Sequence, residues 1–395
     1  MKQLLKLFLF ANIAIMLFTA CDKVDSLPYY PSGTESGIGI VLNTSTTTLA
    51  VAPADSSKTA ITFTWNFPNY ATSASTAKYI LEIDSSGRNF TKSLSKTLIG
   101  TLNASYTGLD INNILLGFGF TIGTAYNVDI RVTASYGNNN DQIKSNVITV
   151  KMTPYKVPPK VALPAGGRLF ITGSATQGNW NGNPPTPSQE FARLDENTFA
   201  GVFNLNGNSE YLLLQTLGTY NGKYAVDKTI SGLSATGGTF GLNVGSAFND
   251  NFPGPAVSGW YTITVNFQTG KFTVTPFTSL LPDNLYIIGS ATPNGWGPNP
   301  PTTQQFTRLN SAAYTLTLNN MIGGAGNEYL LIPTYNSYSP KFAVDKTTPG
   351  LTGAGGSFGL NVGSAFSDNF PGPAVNGNYK IDVNFATMKF TTTKL

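Results

Sequence analysis

The sequence predicts an all-β protein made of three tandem antiparallel β-sandwich domains. Short stretches rich in Val, Ile, Thr, Tyr and Phe alternate with polar residues at a period of two, and Gly-, Pro- and Asn-rich turns separate them. Residues 237–257, GGTFGLNVGSAFNDNFPGPAV, return almost unchanged at 355–375, so one whole domain is duplicated. A length of 395 residues allows about three domains.

The composition excludes several classes of protein. Charged residues make up 11% of the chain and the formal net charge is +4, with no Lys/Arg-rich stretch, so we expect no nucleic-acid partner. The absence of histidine removes the commonest general base and metal ligand. A single cysteine excludes an intramolecular disulfide and a cysteine-rich zinc site. We therefore expect no catalytic residue, no metal site and no cofactor.

The N-terminus reads as a lipoprotein leader. Lys2 and Lys6 precede an apolar run at 7–18, and Thr19 and Ala20 lie between this run and Cys21. This arrangement resembles a bacterial lipobox, which predicts a signal peptide at 1–20, a lipid on Cys21 that anchors the chain to a membrane, and a polar tether at 21–36. The alternative is an ordinary secretory peptide followed by an incidental cysteine.

The first domain is predicted at 37–153, with an immunoglobulin or fibronectin III-like sandwich. Trp65 lies within an alternating strand, so we expect it in the core, and 111–120 is the one segment with the character of a short helix. The predicted strands are 48–52, 60–67, 78–84, 105–110, 126–136 and 145–152.

The proline-rich segment 154–160 is a stiff linker that predicts a domain boundary. Two repeats follow, at 161–276 and 283–395, each about 110 residues long and each predicted as an antiparallel sandwich. Each repeat opens on a strand (LFITG, LYIIG) and closes on a hairpin, formed by YTITVNF and KFTVTPF in the first copy and by YKIDVNF and KFTTTKL in the second.

The chain resembles the SusE/SusF family, surface lipoproteins of the outer membrane that serve starch utilisation in Bacteroidetes. The resemblance rests on Cys21, on TFTW, YILEID, YNVDIRV and SNVITVKMTPY in the first domain, and on the repeat openings LFITGSAT and LYIIGSAT with their closing hairpins. It implies that the repeats are carbohydrate-binding-module-like sandwiches that hold starch or another α-glucan at the cell exterior without cleaving it. It also implies two partners, a TonB-dependent transporter and a companion glycan-binding lipoprotein.

Aromatic and cationic side chains recur at equivalent loop positions of the two repeats. A flat aromatic face covers the C–H side of a pyranose ring, while polar side chains bind its hydroxyls. The family resemblance implies sites with an aromatic pair and a nearby lysine or arginine. The predicted glycan-binding residues are Trp180, Tyr220 and Lys223 in the first repeat, and Trp296, Tyr335, Tyr338 and Lys341 in the second. The alternative for each is a structural tryptophan, an ordinary loop tyrosine or a solvated lysine.

Two other functions stay open at this point. A glycosidase needs two carboxylates that face one cleft, and the repeated acids are Glu210 with Asp227 and Glu328 with Asp345. A structural or adhesive surface protein would use the repeats as spacers. The repetition of block 237–257 has two explanations that stay open. Its many glycines and prolines favour a requirement of backbone geometry, while its near-identity in both copies also suits a binding role.

Overall fold

A computed structural model describes residues 39–68, 70, 73–245, 247–363 and 366–395, and within these ranges the chain consists almost entirely of β-strands. The boundary between two compact units lies between Pro158 and Pro159. The first unit holds the first predicted sandwich, and the second unit holds both repeats. The all-β prediction is confirmed.

The first unit packs a three-stranded sheet, ordered β1-β3-β6, over a larger sheet ordered β2-β9-β7-β4-β5, with β8 paired to β7. Trp65 is buried, as predicted, and its ring lies 5.6 Å from that of Tyr79 in the core between the sheets. The strands are β1 (Leu42–Thr44), β2 (Thr48–Ala50), β3 (Thr59–Trp65), β4 (Lys78–Ser85), β5 (Leu94–Ile99), β6 (Asn103–Thr107), β7 (Tyr126–Ser135), β8 (Ile143–Lys144) and β9 (Ile148–Thr153).

The helix α1 of this unit spans Gly108–Gly117, so the strand predicted at 105–110 ends early, at Thr107. Thr107 accepts a hydrogen bond from the Asp110 amide, and the Asp110 carboxylate accepts one from the Thr107 amide. This capping box starts the helix three residues before the apolar run that predicted it. Single-turn 3₁₀ helices lie at Pro53–Asp55 and Ala74–Thr76.

Each repeat in the second unit folds into two facing sheets, and the two repeats have the same strand order. The first repeat comprises β10 (Phe170–Thr172), β11 (Ala192–Arg193), β12 (Thr198–Leu205), β13 (Glu210–Leu214), β14 (Tyr224–Ala225), β15 (Gly237–Thr239), β16 (Gly241–Leu242), β17 (Phe252–Pro253), β18 (Gly259–Asn266) and β19 (Lys271–Pro276). One sheet is ordered β10-β13-β14-β16 with β17 on β13, and the other β11-β12-β18-β19-β15.

The second repeat reproduces this order with ten strands of its own: β20 (Tyr286–Ile288), β21 (Thr307–Arg308), β22 (Ala313–Met321), β23 (Glu328–Ile332), β24 (Phe342–Ala343), β25 (Gly355–Ser357), β26 (Gly359–Leu360), β27 (Phe370–Pro371), β28 (Gly377–Asn384) and β29 (Lys389–Lys394). A 3₁₀ turn lies at Thr302–Gln304. The predicted closing hairpins are β18–β19 and β28–β29. Aromatic side chains fill both cores; Tyr211 stacks on Phe252 in the first and Tyr329 on Phe370 in the second.

The two repeats also pack on each other within the second unit. Val202 of β12 belongs to the buried cluster of the second repeat, although its neighbour Phe203 belongs to that of the first. The Ser311 amide of the second repeat donates to the Glu190 carbonyl of the first at 2.9 Å. A covered apolar side chain and a backbone hydrogen bond therefore fix one repeat against the other.

Candidate functional site

The structure brings Trp180 and Tyr220 together at one end of the first repeat. Trp180 lies in the loop after β10 and Tyr220 in the loop after β13. The Tyr220 hydroxyl donates to the Trp180 carbonyl at 2.8 Å. The side chains are 41% and 37% exposed. The bond leaves both rings at the surface, within reach of a ligand.

The second repeat repeats this arrangement. Tyr338 donates through its hydroxyl to the Trp296 carbonyl, and the two residues are 45% and 37% exposed. Because the same bond joins equivalent, half-exposed residues in both copies, the loops of the two repeats share one geometry. The four residues form two equivalent sets, which we call the Trp–Tyr pairs: Trp180 with Tyr220, and Trp296 with Tyr338.

Local backbone geometry shapes the tryptophan loop. Asn179 has a φ of +50° and Gly295, its equivalent, a φ of +64°; asparagine and glycine are the residues that best tolerate this region. The Thr172 hydroxyl lies 2.9 Å from the Asn179 carbonyl, to which it donates. The Gly218 amide donates to the Gly182 carbonyl at 2.9 Å, which joins the tryptophan loop to the tyrosine loop.

A buried glutamine, which the sequence analysis missed, fastens each tryptophan loop to its sheet. Gln189 donates through Nε2 to the Ile171 carbonyl of β10 at 2.8 Å and accepts at Oε1 from the Gly178 amide, also at 2.8 Å. Gln304 makes the same bridge between the Ile287 carbonyl and the Asn294 amide. The sequence carries a signal for this role, because a glutamine lies two residues before the motif F-x-R-L in both copies, at 191–194 and at 306–309.

Replacing this glutamine with leucine is expected to destabilise the repeat and loosen its tryptophan loop. Gln304→Leu leaves buried backbone groups without a partner, which costs about 1–3 kcal/mol of unfolding free energy. Gln305→Leu is the matched control, since the Gln305 side chain donates to the side chain of Asn284 and to no backbone group among the described residues, and a change within about 0.5 kcal/mol is expected. Urea unfolding checks both variants, and equal midpoints for the two would contradict the assigned role.

The two lysines lie on the same loops as the tyrosines, and their side chains make no ion pair with a described residue. The Lys223 amide donates to the Tyr220 carbonyl at 3.3 Å, and its carbonyl accepts from the Asn243 amide at 2.8 Å. The Lys341 carbonyl accepts from the Asn361 amide in the same way. The backbone is therefore fixed in both copies, while the ammonium groups remain available for a ligand.

Tyr335 differs from the other predicted residues because the first repeat has Leu217 at the equivalent position. Its side chain is 54% exposed, and its ring meets that of Tyr286 edge to face at 5.8 Å. Tyr335 therefore adds an exposed ring three residues before Tyr338, and the first repeat has no counterpart to it. The corresponding loops of the two repeats therefore differ in their aromatic residues.

The repeated block 237–257 has a structural role that the sequence left open. The ring of Phe248 lies where a Cβ on Gly241 would stand, 2.3 Å from it, so only glycine fits beneath this ring. Asn243 donates through Nδ2 to the Phe248 carbonyl and closes the loop. Gly359, Phe366 and Asn361 repeat both contacts.

The end of the block that holds Asn251 joins a charged cluster. Glu210 accepts from Lys228 Nζ at 2.7 Å through one oxygen and from Asn251 Nδ2 at 2.8 Å through the other. The bond from Asn251, followed by that from Lys228, lowers the pKa of Glu210 below its ordinary value. Both oxygens of the carboxylate are therefore engaged within the fold.

Glu328 of the second repeat has the same partners. It accepts from Lys346 at 2.6 Å and from Asn369 at 2.8 Å, and these bonds, in that order, lower the pKa of Glu328. The remaining repeated acids, Asp227 and Asp345, each accept from the hydroxyl and amide of the threonine two residues later, which lowers the pKa of both aspartates.

These lowered pKa values predict a loss of stability in acid. A carboxylate with a folded pKa below its unfolded value of about 4.3 contributes fully above that pH, and the contribution disappears as the pH falls through the folded pKa. We expect the unfolding free energy of Glu210→Gln/Glu328→Gln to fall less than that of the parent between pH 7 and pH 3. Denaturant unfolding at both pH values checks this, and identical losses in parent and variant would refute it.

No group of three or more Cys, Asp or Glu side chains able to hold a metal ion occurs in the described part of the chain. Likewise, no helix among the described residues is long and apolar enough to cross a membrane. The predicted leader, Cys21 and the tether lie outside the described residues.

Residues 26–133 match the family model of the SusE outer membrane protein. The first domain of the chain therefore matches the SusE family, and the match covers less than half of the chain. The family is one of outer-membrane proteins, so the chain is assigned to the outer membrane. The match ends within β7, so both repeats and both Trp–Tyr pairs lie beyond it.

Among solved structures, SusF from Bacteroides thetaiotaomicron matches this chain at 14% identity and a TM-score of 0.33. The match covers 90% of this chain and 76% of SusF. A TM-score this low supports no inference about function. No curated protein matches the chain significantly.

Proposed function

We propose that this protein, whose first domain matches the SusE family, binds an α-glucan such as starch at the bacterial cell surface, without cleaving it, in support of glycan uptake. Each repeat offers one shallow site, formed by its Trp–Tyr pair together with Lys223 in the first copy and with Lys341 and Tyr335 in the second.

The observation that carries the proposal is the duplicated Trp–Tyr pair. In each pair an indole and a phenol are half-exposed, on loops joined by the bond from the tyrosine hydroxyl to the tryptophan carbonyl, and their faces can cover the C–H side of a sugar ring. The lysines supply hydrogen-bond donors for hydroxyl groups. A structural role alone would favour packing these large rings inward, as in the cores of both repeats.

The acidic residues favour binding over hydrolysis. A glycosidase needs a carboxyl group with a raised pKa as its general acid. The pKa values of Glu210 and Glu328 are lowered, and the Lys and Asn partners of both residues occupy their oxygens. Asp227 and Asp345 hold their own turns. These four acids serve the fold better than they would serve catalysis.

Two linked sites suit a polymeric ligand. Each shallow site buries little sugar surface, so we expect it to be weak alone. A polysaccharide that reaches both sites binds the second at a high effective concentration, so retention exceeds what either site gives. We propose that the retained glycan passes to a TonB-dependent transporter, with a companion glycan-binding lipoprotein as the second partner.

We further propose that a lipid on Cys21 anchors the protein, with the repeats facing the cell exterior. Its position after a basic and apolar leader supports this. Cells that express the parent should incorporate labelled palmitate into the protein, and cells that express Cys21→Ala should not. Equal labelling of both would refute the anchor.

A glycan screen tests the proposed function. The protein is titrated with maltoheptaose and with cellohexaose while tryptophan fluorescence is recorded, and its migration is measured in gels with and without amylopectin. We expect a saturable response to maltoheptaose and retardation by amylopectin, with no reducing sugar released. Release of reducing sugar would favour the glycosidase, and no response to any glycan would favour the adhesive protein.

A further inference from the structure

A third tryptophan lies exposed in the second unit and belongs to neither Trp–Tyr pair. Trp260 is on strand β18, 43% exposed, directly opposite Asn204 of β12. The second repeat has Asn378 at the equivalent position, in a hairpin that is otherwise closely similar. Because the large apolar ring is exposed in one copy and absent from the other, it indicates a role of this surface in the first repeat.

The ring lines a cleft whose two walls come from the two repeats. Trp260, Asn204, Asn206 and Gln177 belong to the first repeat, while Asp283 and Arg308 belong to the second. The cleft volume is about 420 Å³, within the range of about 300–1,000 Å³ that small-molecule sites occupy. The packing of Val202 into the core of the second repeat holds the walls together.

The cleft presents the groups that hydroxyl-rich ligands need. The indole offers an apolar face, and the side-chain amides of Gln177 and Asn204 supply donors and acceptors. Asn206 donates through Nδ2 to the Ser174 carbonyl at 3.0 Å. The Arg308 guanidinium is fixed by bonds through Nε to the Asn310 carbonyl at 3.0 Å and through Nη2 to the Ser311 carbonyl at 3.2 Å. Its Nη1 hydrogens make no bond with a described residue.

We propose that this cleft is a third saccharide site, which takes a short neutral oligosaccharide against Trp260. The single carboxylate of Asp283 and the single guanidinium of Arg308 leave the cleft with no net charge, which favours a neutral ligand over a charged one. The choice of a saccharide rests on the proposed function. None of the four residues of the Trp–Tyr pairs lines the cleft, although Gln177 of the first tryptophan loop does.

The four tryptophans of the chain allow a direct test. In Trp180→Ala/Trp296→Ala the remaining indoles are Trp260 and Trp65, and Trp65 is buried in the first unit. We expect maltotriose to change the fluorescence of this double variant saturably. No change at concentrations that saturate the parent would overturn the third site, while parent binding would leave the proposed function standing.

Substitution of Arg308, on the opposite wall of the cleft, tests where the ligand binds. In the same double variant, Arg308→Ala should weaken maltotriose binding about tenfold, because a charged donor to the ligand is lost. The matched control is Arg193→Ala, since Arg193 makes equivalent carbonyl bonds in the first repeat and does not line the cleft. Asn204→Ala should also weaken binding, which guards against misfolding of the arginine variant. Unchanged affinity in both Arg308→Ala and Asn204→Ala would overturn the proposal.

Discussion

Alanine at both Trp180 and Trp296 is expected to remove nearly all retardation of the protein by amylopectin, while either substitution alone leaves part of it. Loss of a central aromatic contact costs about 2 kcal/mol or more of binding free energy, which is about thirtyfold in affinity. When both pairs are lost, the avidity between them is lost as well. One remaining weak site for a short saccharide does not replace it. Affinity electrophoresis across a range of amylopectin concentrations measures the effect.

The matched control for this pair is Val257→Ala/Val375→Ala. The two valines occupy equivalent positions in the repeats, are 71% and 52% exposed, and lie outside the Trp–Tyr pairs. Their replacement should leave retardation unchanged. Thermal unfolding of all variants should match the parent closely, because the substituted side chains are exposed. A tryptophan double variant that migrates as the parent does would show that the sites lie elsewhere.

Gly173→Ala is expected to destabilise the first repeat more than any surface change in this unit. A Cβ at Gly173 would stand 2.3 Å from the Glu210 carbonyl oxygen and 2.5 Å from the Tyr211 Cα, and the backbone φ is +145°. The combined clash and backbone strain should cost about 2–5 kcal/mol of unfolding free energy. Gly173 also donates to the Asn179 carbonyl, so the tryptophan loop should shift.

Gly232→Ala separates the clash from the backbone strain. Gly232 has a φ of +87°, but nothing lies within 4 Å of its Cβ position. It should therefore show only the conformational cost of a left-handed alanine, about 1 kcal/mol. Urea unfolding and amylopectin retardation are measured for both variants. If Gly173→Ala loses no more unfolding free energy than Gly232→Ala, the close approach to β13 is not the reason for glycine at position 173.

The sequence predicted those parts of the fold that follow from local pattern. Alternation placed Trp65 in the core, and duplication indicated two repeats with the same closing hairpins. Strand β5 (Leu94–Ile99) was missed because its residues are mostly exposed and carry little alternation. The helix start at Gly108 was also missed, since the Thr107–Asp110 capping box lies within residues that alternate like a strand.

Contacts between distant residues could not be predicted in this way. The bond from Tyr220 to the Trp180 carbonyl joins loops 40 residues apart, and no local pattern encodes which loops meet. The bridge made by Gln189 depends on burial, which single-sequence patterns do not give for a polar residue. The packing of Val202 against the second repeat could not be predicted either, because β12 is buried along nearly its whole length and its pattern does not show which residue meets which core.

Fluorine NMR of the full protein labelled with 5-fluorotryptophan tests the central claim most directly. The four tryptophans give four signals, which single Trp→Phe variants assign. When maltoheptaose is added, the signals of Trp180 and Trp296 should move in a saturable way, while that of buried Trp65 stays in place. If neither the Trp180 nor the Trp296 signal moves at saturating maltoheptaose, the Trp–Tyr pairs are not its binding sites.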